Sequence, residues 1–260
     1  RKKRSLLLAL SGIKGVYIPA LRTGKKIARR FISSLDSAPF PDKPIVPYTA
    51  ITHDRVNIEV ARGCTRGCRF CQAGMIYRPV RERSPDSLLA LCNQSVSATG
   101  YEDISLLSLS TGDYGCIVPL MSRLMSGYAA ENVAVSLPSL RAGTLTPELM
   151  KLIKTVRKTG FTIAPEAGSQ RLRNVINKTQ TEDQMMEAIS LAQEFDFPQL
   201  KLYFMVGHPT ETDDDIQALI DFTMQARERF RRRIAINATP FVPKAHTPFQ
   251  WEGMVEPATL

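Results

Sequence analysis

From residue 55 onward, short runs rich in β-forming residues alternate with helical runs, and this alternation constrains the fold most. The six strand candidates span residues 55–61, 103–110, 132–138, 161–165, 199–207 and 233–243. Helical patterns separate them, as in 84–100, where Ser84 is the expected N-cap and Gly100 the stop. Strands that alternate with helices pair in parallel through right-handed crossovers. Six such units, with no G-x-G-x-x-G after any strand, predict an α/β fold, a partial TIM-like (β/α)6 barrel.

The first 50 residues follow a different pattern. Residues 1–35 carry ten Lys or Arg and no acid, whereas the rest of the chain has 24 basic and 25 acidic residues. Prolines at 39, 41, 44 and 47 exclude an inner strand or an unbroken helix there. We therefore expect residues 1–50 to be a basic, Pro-rich linker or the remnant of a preceding domain, and residues 51–260 to be the barrel. Because the chain has no initiator Met, we expect it to be a piece of a longer protein.

Hydropathy and the distribution of cysteines limit the classes of protein to which this chain can belong. The longest apolar run at the basic start, Leu6 to Leu10, is too short to cross a bilayer, so no membrane partner is expected. Three of the five cysteines lie within eight positions, which favours metal-bound thiolates in a reducing cytoplasm over a secreted disulfide scaffold. The near-neutral body does not indicate nucleic-acid binding, which usually requires a basic face.

The clustered thiols are Cys64, Cys68 and Cys71, in the segment "ARGCTRGCRFCQAG" that follows the first strand. A closed zinc or ferredoxin-type site needs a fourth ligand, and none lies at a compatible spacing. Three thiolates on a [4Fe–4S] cluster leave one iron open to a substrate or cofactor. Gly63 and Gly67 allow the backbone to wrap closely. The nearby arginines, Arg62, Arg66 and Arg69, would offset the negative charge of the cluster.

The C-x3-C-x-aromatic-C spacing after a first strand resembles the motif of the radical S-adenosyl-L-methionine (SAM) enzymes, with Phe70 in the aromatic position. This resemblance extends from about residue 55 to 250. It implies a metal-binding loop in which Cys64, Cys68 and Cys71 hold the [4Fe–4S] cluster and SAM occupies the open iron. It also implies reductive cleavage of SAM to a 5′-deoxyadenosyl radical, which abstracts hydrogen from the substrate.

The resemblance also assigns SAM contacts at the strand ends. Gly112 and Asp113 of "STGDY" stand where the family often has Gly-Gly-Glu beside the SAM amino group. Glu166 of "APEAGS" matches the polar residue at the ribose, and Lys178 matches a basic residue near the SAM carboxylate. Gly207 of "MVGHP" matches the glycine that passes the adenine.

Ser139 and Arg141 of "SLPSLR" follow the third strand and, together with Phe70, are the remaining predicted cofactor contacts. Arg141 is expected either to bind SAM or substrate or to pair with an acid on a neighbouring loop.

Several segments, including "APEAGSQRLRNVINK" and "PFVPKAHTPFQW", resemble one branch of the superfamily. Its members are uncharacterised, carry a cobalamin-binding-like domain before the barrel, and are related to elongator-like and methylthiotransferase-like barrels. The resemblance implies an electron donor such as flavodoxin or ferredoxin. It leaves cobalamin open for the full-length protein, with no cobalamin site expected within these 260 residues.

The substrate is open between RNA or ribosomal modification and methyl-transfer or small-molecule chemistry. Two hypotheses without SAM chemistry also stay open. One is an iron–sulfur electron-transfer or structural module, and the other is a zinc-knuckle protein that binds nucleic acid through the basic arm.

Overall fold

The computed structural model describes residues 2–21, 24, 26–154, 160–256 and 258. The chain divides into two compact units, residues 1–38 and 39–260. The smaller unit contains helix α1 (Lys2–Ser11), which buries no side chain, and a short 3-10 turn at Pro19–Leu21. The expected functional boundary at residue 50 stays a prediction.

Parallel strands form the frame of the larger unit. Its strands are β1 (Val56–Glu59), β2 (Ala61–Arg62), β3 (Arg81–Glu82), β4 (Asp103–Leu107), β5 (Ala134–Ser136), β6 (Phe161–Glu166), β7 (Gln199–Val206) and β8 (Arg233–Pro240). Strands β1, β4 and β5 form one parallel sheet, and β6, β7 and β8 form another. Among the described residues no strand pairing joins β5 to β6. The predicted α/β class with parallel strands is confirmed.

Helices follow the strands as the sequence predicts. They are α2 (Gln72–Ile76), α3 (Pro85–Thr99), α4 (Ile117–Tyr128), α5 (Pro147–Lys154), α6 (Gln170–Val175), α7 (Glu182–Glu194) and α8 (Asp213–Arg229). Ser84 accepts a hydrogen bond from the Ser87 backbone N–H at the start of α3, and Gly100 ends it with φ 71°. The sequence of residues 146–160 also predicts a helix, with Thr146 as its cap. The structure has this helix as far as Lys154, and residues 155–159 of that prediction lie outside the described residues.

Alternation along the strands separates the core from the inner face of the barrel. On β6, Phe161 and Ile163 belong to the main hydrophobic core, which also receives side chains from α3, α4, α7 and α8. Thr162, Ala164 and Glu166 therefore lie on the opposite face, toward the inside. The carboxyl ends of parallel strands meet at one edge of such a fold, which brings the loops after them together.

Two local features were not predicted. Strands β2 and β3 form an antiparallel pair, Ala61 with Glu82 and Arg62 with Arg81, which closes the base of the cysteine segment. The five-residue helix α2 begins directly after Cys71. Within the part of the chain that the structure describes, no helix has the length and apolarity to traverse a bilayer.

Candidate functional site

The cysteine loop lies at the carboxyl end of β1, between β2 and β3. Gly63 opens it with φ 96°, and a Cβ atom at this position would lie 2.5 Å from the carbonyl oxygen of Tyr77 and 2.7 Å from that of Pro79. Glycine is therefore required at the base of the loop, both for the backbone conformation and for the close approach of the returning strand.

The three thiols are free and partly accessible, and the loop supplies backbone donors to two of them. The Arg66 N–H lies 3.5 Å from Cys64 Sγ, and the Gly74 N–H lies 3.4 Å from Cys71 Sγ, which caps α2. A backbone N–H directed at sulfur is a suitable hydrogen-bond donor to a metal-bound cysteine. Thiolates are the form that iron and zinc bind.

Asn177 and Arg69 fasten the cysteine loop to the end of α6. The Asn177 side-chain amide donates to the Gly67 carbonyl at 2.9 Å, and the Arg69 guanidinium donates to the Val175 carbonyl at 2.5 Å. The Arg69 backbone N–H also donates to the Ile176 carbonyl at 2.9 Å. Arg69 thus serves the loop structure. Asn177 escaped the sequence analysis; its one signal is that asparagine tolerates a left-handed φ, here 55°.

A cavity of about 280 Å³ opens beside the thiols, between the ends of β1, β4, β5 and β6. Eight of the eleven residues predicted to hold metal or cofactor line it. They are Cys64, Cys68, Phe70, Cys71, Ser139, Arg141, Glu166 and Lys178. Loops as far apart in sequence as residues 64 and 178 therefore form one site.

Charge in this cavity is arranged around Cys68. Burial raises the pKa of the Cys68 thiol, and the positive charges of Lys178 and Arg141 oppose that rise. Lys178 is itself buried and pairs with Glu166, with Nζ 3.2 Å from Oε1. The cavity is thus lined by three thiols, two cations and a carboxylate.

Glu166 has an unusual backbone for its side chain. Its φ is 68°, and the register of β6 against β7 shifts between Ile163 and Glu166. A left-handed φ at a non-glycine residue is strained and persists only where its surroundings hold it. His208, in the loop after β7, contributes here: its Nε2 lies 3.3 Å from the Glu166 carbonyl oxygen.

Gly112 and Asp113 do not line the cavity. A Cβ atom at Gly112 would lie 2.1 Å from Oγ1 of Thr144, so this glycine is needed for packing. The Asp113 carboxylate accepts both hydrogen bonds of the Arg66 fork. Partial burial raises the pKa of Asp113, but the bonds from Arg66 outweigh it and hold the pKa below its ordinary value. The structure thus places Asp113 against the cysteine loop, and its predicted contact with SAM stays a prediction.

Gly207 lies in a neighbouring cavity of about 460 Å³ at the start of α8, which His208 and Glu211 also line. Its φ is 78°, and its N–H donates to the Glu211 carboxylate. The predicted adenine contact of Gly207 therefore has no place in the cavity of the thiols, and it too stays a prediction.

The residues of the cavity supply the donors that an iron–sulfur cluster takes from a protein. Three cysteine thiols line this one cavity, and cysteine thiolates are the usual ligands of [4Fe–4S] clusters. A closed zinc site needs a fourth protein ligand, whereas three thiolates leave one iron of a cluster open to a cofactor. The residues present therefore fit a [4Fe–4S] cluster.

Comparison with known proteins agrees with this chemistry. The sequence profile of the radical SAM superfamily matches residues 58–223. An uncharacterised protein of Methanocaldococcus jannaschii is 44% identical over 195 residues, which cover 75% of this chain and 42% of that protein. The ribosomal protein uS12 methylthiotransferase RimO of Pseudothermotoga lettingae is 26% identical over 200 residues, covering 72% of this chain and 46% of RimO. The chain thus spans less than half the length of these relatives.

Among solved structures, the radical SAM methyltransferase TsrM of Kitasatospora setae has a similar fold. Its TM-score is 0.64 at 15% identity, with 76% of this chain and 38% of TsrM covered. Another structure of TsrM contains cobalamin and a [4Fe–4S] cluster, and there the TM-score is 0.62.

A partial TIM-like barrel that carries a three-cysteine loop at the carboxyl end of its first strand is the architecture of the radical SAM enzymes. This chain belongs to the radical SAM superfamily. The predicted membership and the predicted enzyme class are confirmed. The family uses a [4Fe–4S] cluster and SAM. The likeness to TsrM, at 15% identity, concerns the fold.

Proposed function

We propose that Cys64, Cys68 and Cys71 hold a [4Fe–4S] cluster and that SAM binds in the adjoining cavity, on the open iron. The observation that carries this proposal is the composition of the cavity: three thiols share it with a partly buried carboxylate–ammonium pair and a second cation. When bound, the reduced cluster supplies the electron for reductive cleavage of SAM.

Lys178 and Arg141 bind and orient the methionine end of SAM. Their positive charges already act on Cys68, so a carboxylate bound beside that cysteine meets both of them. Charge-assisted hydrogen bonds of this kind are shorter and stronger than neutral ones. The same two cations offset the charge of the thiolates, which favours retention of the cluster.

Glu166, Ser139 and Phe70 complete the site. The Glu166 carboxylate is an acceptor that matches the two hydroxyl donors of a ribose, and Lys178 pairs with it at 3.2 Å. Ser139 adds a small hydroxyl group beside Arg141, and Phe70 forms an apolar wall next to Cys71. These side chains hold the cofactor in one orientation and exclude water from part of the cavity.

The substrate of the whole protein is proposed at the level of class. RimO acts on ribosomal protein uS12 and TsrM is a methyltransferase, by their names. We therefore propose a methylthio-transfer or methyl-transfer reaction. The setting that suits its free thiols is a reducing cytoplasm, with flavodoxin or ferredoxin as the electron donor. Cobalamin enters the proposal only for the full-length protein.

The test of the ligand assignment compares two cysteine variants after anaerobic reconstitution with iron and sulfide. Cys68→Ala removes a thiol of the loop, whereas Cys116→Ala removes an exposed thiol outside the cavity. We expect iron and sulfide to be lost in the first variant and retained in the second. A full cluster in Cys68→Ala would overturn the assignment. A full cluster in wild type that does not respond to SAM would favour the electron-transfer module.

A further inference from the structure

Arg173, on α6, is fully buried, which is rare for an arginine. The nearest acid is Glu182, whose Oε2 lies 3.8 Å from Nη2 and whose side chain is 44% exposed. Burying a cation against one distant and half-exposed carboxylate is costly, because the attraction replaces little of the lost hydration. Arg173 lies outside the cavity of the thiols, and neither fold prediction nor resemblance assigns it a function.

Its guanidinium binds the backbone directly after Glu166. One terminal nitrogen donates to the Ala167 carbonyl at 3.1 Å and to the Gly168 carbonyl at 2.6 Å. The other donates to the Gln170 side chain at 3.3 Å. Arg173 thus donates hydrogen bonds to two carbonyls in the turn between β6 and α6. These carbonyls take no part in the hydrogen bonds of the strand or the helix.

His208 adds a third hydrogen bond to this turn. The three consecutive carbonyls of residues 166, 167 and 168 therefore all accept hydrogen bonds from buried side chains. Burial lowers the pKa of His208, and a neutral imidazole has one N–H. Because a carbonyl only accepts, the proton lies on Nε2, opposite the Glu166 oxygen. The turn that gives Glu166 its left-handed φ is therefore held by His208 and by Arg173.

Arg173 also contacts the partner of Glu166. Its backbone carbonyl accepts from the Lys178 N–H at 2.8 Å, and the Lys178 ammonium lies 3.2 Å from the Glu166 carboxylate. One buried residue thus fixes the backbone next to Glu166 through its side chain and the backbone of Lys178 through its carbonyl.

We propose that Arg173 is a positioning residue for SAM: it holds the Glu166 turn so that the Glu166–Lys178 pair faces the cavity. This rests on the proposed function. The charge and the fork of the guanidinium both matter, because one nitrogen must reach two carbonyls while the other reaches Gln170.

The experiment compares Arg173→Met with Arg173→Lys in the reconstituted chain. Methionine keeps much of the side-chain volume and removes all donors, whereas lysine restores the charge and part of the donor set. We expect the dissociation constant for SAM, measured by calorimetry, to rise about tenfold in Arg173→Met, as for one lost charged hydrogen bond. We expect the dissociation constant of Arg173→Lys for SAM to lie between those of Arg173→Met and wild type. The iron content should stay at the wild-type level in both variants.

Leu120→Ala serves as the matched control, since Leu120 is fully buried on α4, away from the cavity. It should lower thermal stability without changing the affinity for SAM. If Arg173→Met behaved like this control, with lower thermal stability and a wild-type affinity for SAM, Arg173 would be merely structural and the proposal would be overturned. Should the methionine variant not fold, an unchanged affinity in Arg173→Lys would overturn it equally.

A second readout needs no cofactor. Hydrogen exchange of the peptide covering residues 166–172 should accelerate in Arg173→Met, measured without SAM, while peptides of α4 keep wild-type rates. If wild type does not bind SAM, the proposed function fails, and this readout still decides whether Arg173 holds the turn. Unchanged exchange in the peptide would contradict the positioning of Glu166.

Discussion

The sharpest structural prediction concerns Gly63, at the base of the cysteine loop. In Gly63→Ala the new Cβ would lie 2.5 Å and 2.7 Å from two backbone carbonyl oxygens, those of Tyr77 and Pro79, which a side-chain rotation cannot relieve. The φ of 96° adds strain for any residue with a Cβ. The conformational strain costs about 1–3 kcal/mol, and the overpacking costs about 1–3 kcal/mol more. We therefore expect a loss of about 2–6 kcal/mol, against a typical total of about 5–15 kcal/mol.

Gly127→Ala supplies a control with the same chemical change. Gly127 lies within α4, and a Cβ there would meet nothing within 4 Å. Since alanine is the better helix former, this variant should gain about 0.5–1 kcal/mol.

Urea unfolding of both variants, together with iron and sulfide analysis, measures the two effects. Gly63→Ala should be destabilised and should bind little iron although its three cysteines remain. A Gly63→Ala protein with wild-type stability and a full cluster would refute the reasoning.

Two further predictions concern Glu166 and the histidine that binds its carbonyl, His208. Glu166→Ala should keep its iron and weaken SAM binding about tenfold, since a charged hydrogen bond contributes about 1.5 kcal/mol or more; unchanged affinity by calorimetry would remove Glu166 from the site. His208 has a pKa held below its ordinary value of 6.5 by burial, so the folded chain binds fewer protons there than the unfolded chain. Stability from this group is complete above about pH 6.5 and declines as the pH falls toward the lower folded pKa. His208→Phe should flatten this decline in urea titrations between pH 7 and 5, and an identical slope in both proteins would contradict it.

The sequence predicted the larger part of the frame because its signals are local. Periodicity located all six parallel strands, and caps such as Ser84 located helix ends within a residue or two. The pair of β2 and β3 was missed because each strand has only two residues, too few for any period. The separation of the strands into two sheets was also missed, since periodicity does not report which strands pair.

At the site, local motifs predicted residue types well and distant partners poorly. The spacing of the cysteines identified the loop, but no local signal shows that Arg66 binds Asp113, 47 residues away. The same limit hid Arg173, because a helix pattern gives no sign that an arginine is buried under the preceding turn. Such pairings depend on how the strand ends meet in three dimensions.

We propose that this site cleaves SAM with an electron from a cluster held by three cysteines. Mass spectrometry of 5′-deoxyadenosine tests this, after anaerobic reconstitution with iron and sulfide and addition of SAM and dithionite. We expect 5′-deoxyadenosine from wild type and from Cys116→Ala, and none from Cys68→Ala. A cluster-loaded protein that binds SAM but forms no 5′-deoxyadenosine above the Cys68→Ala background would contradict the proposed cleavage.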